Sequence, residues 1–173
     1  NDIAQRVISL NKWEQKRNLS RKLKSLSLEP GSKALDFGCG TGLFVRVFTK
    51  EKLKYYGYDI DEGLIEYAIR LYQDNHCTFT ASMDKLTKQG PFKVIMANCC
   101  FHHMDDNTLS MELNGIKRIL ADNGIFIAID LLKVENDRHL LRRFFRKLER
   151  GQFIRSENDY KKLLKQHFNI INS

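Results

Sequence analysis

The chain has 173 residues, with 29 Lys and Arg against 21 Asp and Glu, a formal charge of +8, 42% apolar residues and 10 glycines. That is the make-up of one globular domain, and it excludes a disordered tail, a collagen-like repeat and a two-domain enzyme. No apolar run approaches the roughly 20 residues needed to span a bilayer, and Cys39, Cys77, Cys99 and Cys100 are too irregularly spaced for a disulfide framework or a C-x-x-C zinc site.

The expectation is therefore a cytoplasmic protein with reduced thiols, no metal and no membrane segment. The opening Asn1-Asp2-Ile3-Ala4-Gln5-Arg6 carries no apolar signal core. Charge is unevenly placed: residues 1–24 carry seven basic and two acidic side chains, residues 25–130 carry 11 and 14, and residues 131–173 carry 11 and five. Two basic flanks enclose a slightly acidic middle, so either flank could meet an anion, although charged helix faces are more often simply solvated.

Ile3, Val7, Ile8, Leu10 and Trp13 recur at helical spacing and no Gly or Pro interrupts residues 3–26, which predicts one or two helices there. Glu29-Pro30-Gly31 ends them. Short apolar runs then predict strands at Lys33–Phe37, Tyr55–Asp59, Cys77–Thr80, Phe92–Asn98 and Gly124–Asp130. Amphipathic helices are expected between them at 42–51, 63–73 and 106–120. Repeated βαβ crossovers of this kind build a doubly wound, mostly parallel α/β sheet with helices on both faces. Beyond Asp130 the pattern predicts a basic helix at 136–150, a turn at Gly151, a helix at 157–166 and a last strand at His167–Ile171. The chain reads as a single domain over 1–173, with a helical lid at 1–29, a core at 30–130 and a C-terminal addition at 131–173.

The first βα turn carries the most information. Ala34-Leu35-Asp36-Phe37-Gly38-Cys39-Gly40-Thr41-Gly42 delivers a strand into a glycine turn ahead of a helix, where free backbone N–H groups and the helix dipole would favour an anion. Gly38 and Gly40 permit backbone angles and ligand approach that a Cβ would block. A dinucleotide fingerprint needs G-x-G-x-x-G, and position 43 is Leu, which disfavours NAD.

This run resembles the first motif of the class I S-adenosylmethionine-dependent methyltransferases, hydrophobic-x-(Asp/Glu)-x-Gly-x-Gly-x-Gly. The resemblance covers about 33–130 closely and implies a Rossmann-like sheet of strand order 3-2-1-4-5, normally closed by an antiparallel sixth and seventh strand. Only Phe168–Ile171 is available for that closing hairpin, which is therefore incomplete.

The same resemblance implies S-adenosyl-L-methionine as cofactor and S-adenosyl-L-homocysteine as product, held by Asp36, Gly38, Cys39 and Gly40. Asp59 ends the second predicted strand, where a carboxylate can accept ribose hydroxyls, and Ile60 matches the position against the adenine. A helix N-cap is the plainer role for Asp59, but Asp61 is better placed for it. Ser82 stands where the family often has an acid for the adenine amino group, with Met83 beside it. Asn98 closes the fourth strand next to the expected cofactor. Asn98-Cys99-Cys100-Phe101 lacks the prolines of the (Asp/Asn)-Pro-Pro-(Tyr/Phe) motif, so methylation of a planar amide or base amine is not supported.

The reaction implied is in-line attack of an acceptor O or N on a sulfonium methyl, with orientation supplying much of the rate. His103 and His102 are candidate general bases because imidazole titrates near neutrality, and Asp130 could orient an acceptor hydroxyl or amine. Trp13, Arg155 and Tyr160 are candidate acceptor contacts. The expected acceptor is a small molecule. Nucleic acid is the alternative, from the basic flanks and the aromatics Trp13, Phe144, Phe145 and Phe153. A catalytically silent binding module is a third reading, which the intact glycine turn and Asp59 disfavour.

Overall fold

In the computed structural model, residues 12–74, 76–133 and 152–171 are described. The first part of the predicted N-terminal helix, the basic helix at 136–150 and the Gly151 turn lie outside the described residues. The described residues divide into two compact units, one of residues 12–74, 76–98 and 118–129 and the other of residues 99–117, 130–133 and 152–171.

The first unit holds the sheet. Strands β1 (Lys33–Phe37), β2 (Lys54–Tyr58), β3 (Cys77–Thr80), β4 (Phe92–Asn98) and β5 (Leu120–Ile129) lie in the order β3-β2-β1-β4-β5, and every pairing is parallel. Strands covered on both faces read as nearly continuous apolar runs, which is why β4 is buried from Val94 to Ala97. The order reverses at β1, where β2 pairs on one side and β4 on the other, and ligands of open α/β sheets bind outside the carboxyl ends of strands at such a point.

Side chains alternate along each strand, so the register places Ala34, Tyr55, Cys77 and Val94 side by side on one face. They share a buried cluster with Leu19 and Leu23 of α1 (Lys12–Ser25), Val45 and Phe48 of α2 (Val45–Lys50), and Ile65 and Ala68 of α3 (Glu62–Tyr72). Among its glycines, Gly57 on β2 is fixed by packing, since a Cβ there would stand 2.6 Å from the Phe79 ring and 2.9 Å from Cys39 Sγ.

Two predicted elements start several residues elsewhere in this unit, and one helix was not foreseen. Helix α2 begins at Val45 rather than 42 because Gly42 has a φ of +82°, outside the helical region. A helix not foreseen, α4 (Met83–Gln89), follows β3; Ser82 caps it by accepting from Lys85 N at 3.4 Å. Strand β5 starts at Leu120 rather than Gly124, since Leu120 already pairs with Phe92 before an irregularity in the register between Phe92 and Val94.

The second unit is built from a 3₁₀ turn at Phe101–His103, helix α5 (Asp106–Ile119, whose last two residues belong to the first unit) and helix α6 (Glu157–Lys165). Asp105 starts α5 by accepting from Thr108 N at 2.8 Å, and Ser156 caps α6 by accepting from Asp159 N at 3.2 Å. Among the described residues between these helices, Leu132 forms a parallel bridge with Arg155, and Lys133 N donates to Arg155 O at 2.8 Å.

The predicted strand at His167–Ile171 does not form. Backbone bonds from His167 N and Phe168 N to Leu164 O carry the helical turn past α6. The His167 ring lies 3.2 Å from Ser110 Oγ and 3.0 Å from Asn114 Oδ1 on α5, so a tertiary contact overrides the strand-like pattern.

Candidate active site

In the first unit, β1 delivers Gly38, Cys39 and Gly40 at the sheet's switch point. The glycines have φ of +76° and +53°, backbone that an L side chain adopts only with strain. The turn is tied to the end of β2: Gly38 N and Cys39 N donate to Tyr58 O at 2.8 and 2.9 Å, and Gly42 N donates to Cys39 O at 3.0 Å. Gly40 N donates to Asp59 Oδ2 at 2.8 Å, and Asp61 N donates to Asp59 Oδ1 at 3.0 Å.

These bonds correct one expectation. The turn's N–H groups at 38, 39, 40 and 42 are engaged inside the protein, so they do not form a phosphate cradle. The turn therefore suits a nucleoside without a pyrophosphate, the same distinction that the glycine spacing drew against NAD. Each Asp59 oxygen accepts one bond from the protein and has a second lone pair, so the half-buried carboxylate can hold the turn and two ribose hydroxyls together. Nothing lies within 4 Å of where a Cβ on Gly40 would stand; the missing side chain leaves that space open for a ligand. The adjacent Ile60 is 84% exposed, an apolar surface at the lip of this turn. Asp61, not Asp59, caps α3, accepting from Leu64 N at 3.1 Å.

Asp36 lies beneath the turn and is 1% exposed. Tyr55 Oη donates to its Oδ2 at 2.8 Å, a partner that sequence reasoning missed; the signal was the β1–β2 register, which sets Asp36 opposite Gly57, two residues past Tyr55. Burial raises the Asp36 carboxyl from 3.8 to about 7, Tyr55 opposing the shift and the negative charge of Asp59 adding to it. The Cys39 thiol is pushed far up by burial and by Asp36 and Asp59, and burial pushes Cys77 up to about 11. Both are packing groups, not nucleophiles. Ser82 and Met83 stand at the start of α4, where the Ser82 hydroxyl makes the cap, and Asn98 closes β4 in register with Ile129. Trp13, on α1, is 66% exposed with the Arg17 guanidinium 4.9 Å from its ring centre.

The second unit gathers His102, His103, Asp130, Arg155 and Tyr160. His102 is 1% exposed and its Nδ1 is paired with Asp130 Oδ1. Asp130 also accepts from Phe101 N at 2.7 Å, His102 N at 3.1 Å and Leu131 N at 2.7 Å. Three of its four bonds come from the turn and the fourth from Leu131 N, so all four lone-pair positions are occupied. His103 is exposed and its ring lies against that of His102, ring centres 4.1 Å apart and planes tilted by 42°. Arg155 is buried and pairs with Asp106 at 2.7 Å, a partner not foreseen from sequence, and lies 5.6 Å from the centre of the Tyr160 ring. The Tyr160 hydroxyl is buried without a hydrogen bond among the described residues, and burial together with the charge of Asp130 raises its proton affinity. Among the described residues no cluster of His, Cys, Asp or Glu could hold a metal ion, and no helix is long and apolar enough to cross a membrane.

A family model described as a methyltransferase domain matches residues 11–171. The chain belongs to this family, the class I S-adenosylmethionine-dependent methyltransferases. It is 24% identical over 115 residues to an uncharacterized methyltransferase of Schizosaccharomyces pombe, an alignment covering 60% of this chain and 40% of that protein. The chain thus spans less than half the length of that relative. Its fold is similar to phosphoethanolamine N-methyltransferase 2 of Haemonchus contortus in complex with S-adenosyl-L-methionine, with a TM-score of 0.71 and 15% identity over 92% of this chain and 37% of that one. It is also similar to magnesium protoporphyrin IX methyltransferase of Synechocystis with bound S-adenosylhomocysteine, with a TM-score of 0.69 and 18% identity over 95% of this chain and 76% of that one. S-adenosylmethionine is the methyl donor of the family.

Proposed function

We propose that the chain transfers the methyl group of S-adenosylmethionine to an oxygen or nitrogen atom of a small-molecule acceptor. The observation that carries this reading is the latch between Gly40 N and Asp59, which closes the glycine turn on itself and leaves a carboxylate at its edge for a ribose. When bound, the cofactor supplies an electrophilic methyl on a sulfonium. In this reading Asp59 takes the ribose hydroxyls, Ile60 meets one face of the adenine, and Ser82 and Met83 border its edge. Gly38, Cys39 and Gly40 shape the floor above Asp36, and Asn98 lies at the end of β4.

His103 is the proposed general base, since it is the exposed imidazole of the pair and can take a proton from an acceptor hydroxyl or ammonium. Asp130 and His102 hold the turn that carries it, and the Tyr160 hydroxyl is a donor for a polar group of the acceptor. A small acceptor is favoured by the missing prolines after Asn98 and by relatives of similar fold named for phosphoethanolamine and magnesium protoporphyrin.

The test is release of S-adenosylhomocysteine from the full chain given S-adenosylmethionine and a panel of small hydroxy and amino compounds, with total RNA as a separate arm. Turnover with a panel compound at 50 and 200 mM salt alike is the expected result. Turnover only with RNA, together with RNA binding that falls by orders of magnitude over that salt range as phosphate contacts require, would replace the small-molecule reading with the nucleic-acid one.

A further inference from the structure

We infer that Arg155 is a positioning residue: its guanidinium fixes the Phe101–Met104 turn, and with it the imidazoles of His102 and His103, and makes no contact with the acceptor. The inference rests on the reading that this turn serves the acceptor, and its ground is the set of partners that the guanidinium holds. A guanidinium has five N–H groups. In Arg155, Nε donates to Asp106 Oδ1 at 2.8 Å, Nη1 donates to Phe101 O at 3.2 Å and Phe153 O at 3.1 Å, and Nη2 donates to Met104 O at 2.6 Å and meets Asp106 Oδ1 at 2.7 Å. Four hydrogen bonds and the ion pair with Asp106 thus engage the guanidinium within the protein, so an acceptor anion would have to displace a carbonyl or the Asp106 carboxylate.

The turn is gripped by opposite charges. Its amides at 101 and 102 point to the Asp130 carboxylate, and its carbonyls at 101 and 104 point to Arg155. Phe153 N donates to His102 O at 3.0 Å. Arg155 and Asp130 are both 7% exposed. At that burial a mispaired charge is costly, so the turn has one well-defined place. The His102–His103 ring pair inherits that place. A lysine could not substitute, because its donors radiate from one nitrogen and cannot fork between a carboxylate and three carbonyls.

The experiment compares Arg155→Ala and Arg155→Lys with the unmodified full chain by amide hydrogen exchange and by the ring proton and carbon signals of ¹³C-labelled histidine. In Arg155→Ala, exchange at residues 101–104 is expected to rise by about 100-fold or more, while β1 and β4 keep their protection. The ring signals of His102 and His103 move as the ring pair is released, and millimolar methylguanidinium returns them towards their original positions. Arg155→Lys shows the same signal movement without rescue. Unmoved ring signals in a folded Arg155→Ala protein, or exchange that rises equally everywhere, would overturn the inference. Should Arg155→Ala fail to fold, unmoved ring signals in Arg155→Lys do so. Calorimetry of S-adenosylmethionine on the unmodified chain is run beside these measurements: failure to bind defeats the methyltransferase reading and leaves the positioning result standing or falling by itself.

Discussion

Replacing Asp36 by Asn tests how the turn is supported. The buried carboxyl is raised from 3.8 to about 7, so in the folded chain it holds its proton over a range in which the unfolded chain has released it. The sign follows from linkage: stability from this group is complete below about pH 4, falls as pH rises towards 7, and is flat above. At about 1.4 kcal/mol per pH unit, the shift from 3.8 to about 7 makes ionised Asp36 cost about 4 kcal/mol at alkaline pH. Asparagine removes the charge and keeps an oxygen for the Tyr55 hydroxyl, but brings an amide NH₂ whose burial costs about 1–3 kcal/mol. The net expectation is a protein more stable than the original by about 1–3 kcal/mol at pH 8, and no more stable at pH 4, where the original carboxyl is already neutral. Urea unfolding at the two pH values, followed by the fluorescence of Trp13, the single tryptophan, measures both. Loss of stability at pH 8 with an unchanged pH slope would show that Asp36 is ionised and well paired, and would refute the reasoning.

Gly57→Ala must move the Phe79 ring or Cys39, 2.6 and 2.9 Å from the added carbon, and overpacking of this kind costs about 1–3 kcal/mol; equilibrium unfolding checks it. Leu19→Ala, at a position 2% exposed, should cost about 2–5 kcal/mol, and a smaller loss would mean that α1 is not anchored as described. His103→Asn should lower turnover roughly 10²–10⁴-fold with cofactor affinity unchanged if the imidazole is the base. Turnover near the original in a stable, cofactor-competent variant would remove it from the mechanism.

How far the sequence could be read depended on whether local signals carried the decision. Lys33–Phe37, Cys77–Thr80 and Phe92–Asn98 form strands with the predicted limits, because short apolar runs bounded by turn residues leave few alternatives. The resemblance that the glycine turn carries also implied the strand order 3-2-1-4-5, which the sheet shows, with its reversal at β1. The engagement of its N–H groups could not be foreseen, since Tyr58 O and Asp59 reach them across the sheet. Helix α4 was legible in principle: Ser82 is a capping residue before a helix-compatible run. The tail was not, because His167-Phe168-Asn169-Ile170-Ile171 has the composition of a strand and is placed by the His167 contacts to Ser110 and Asn114. Arg155 was legible only as a charge, and its role lies in partners at 101, 104, 106 and 153.

The most direct test of the account is calorimetric binding of S-adenosylmethionine and of NAD to the full chain, repeated with Asp59→Ala. The account predicts saturable binding of S-adenosylmethionine, no binding of NAD, and a loss of about 1.5–3 kcal/mol in Asp59→Ala, the range for hydrogen bonds to a charged group. Tight binding of NAD, or an affinity for S-adenosylmethionine that Asp59→Ala leaves unchanged, would contradict it.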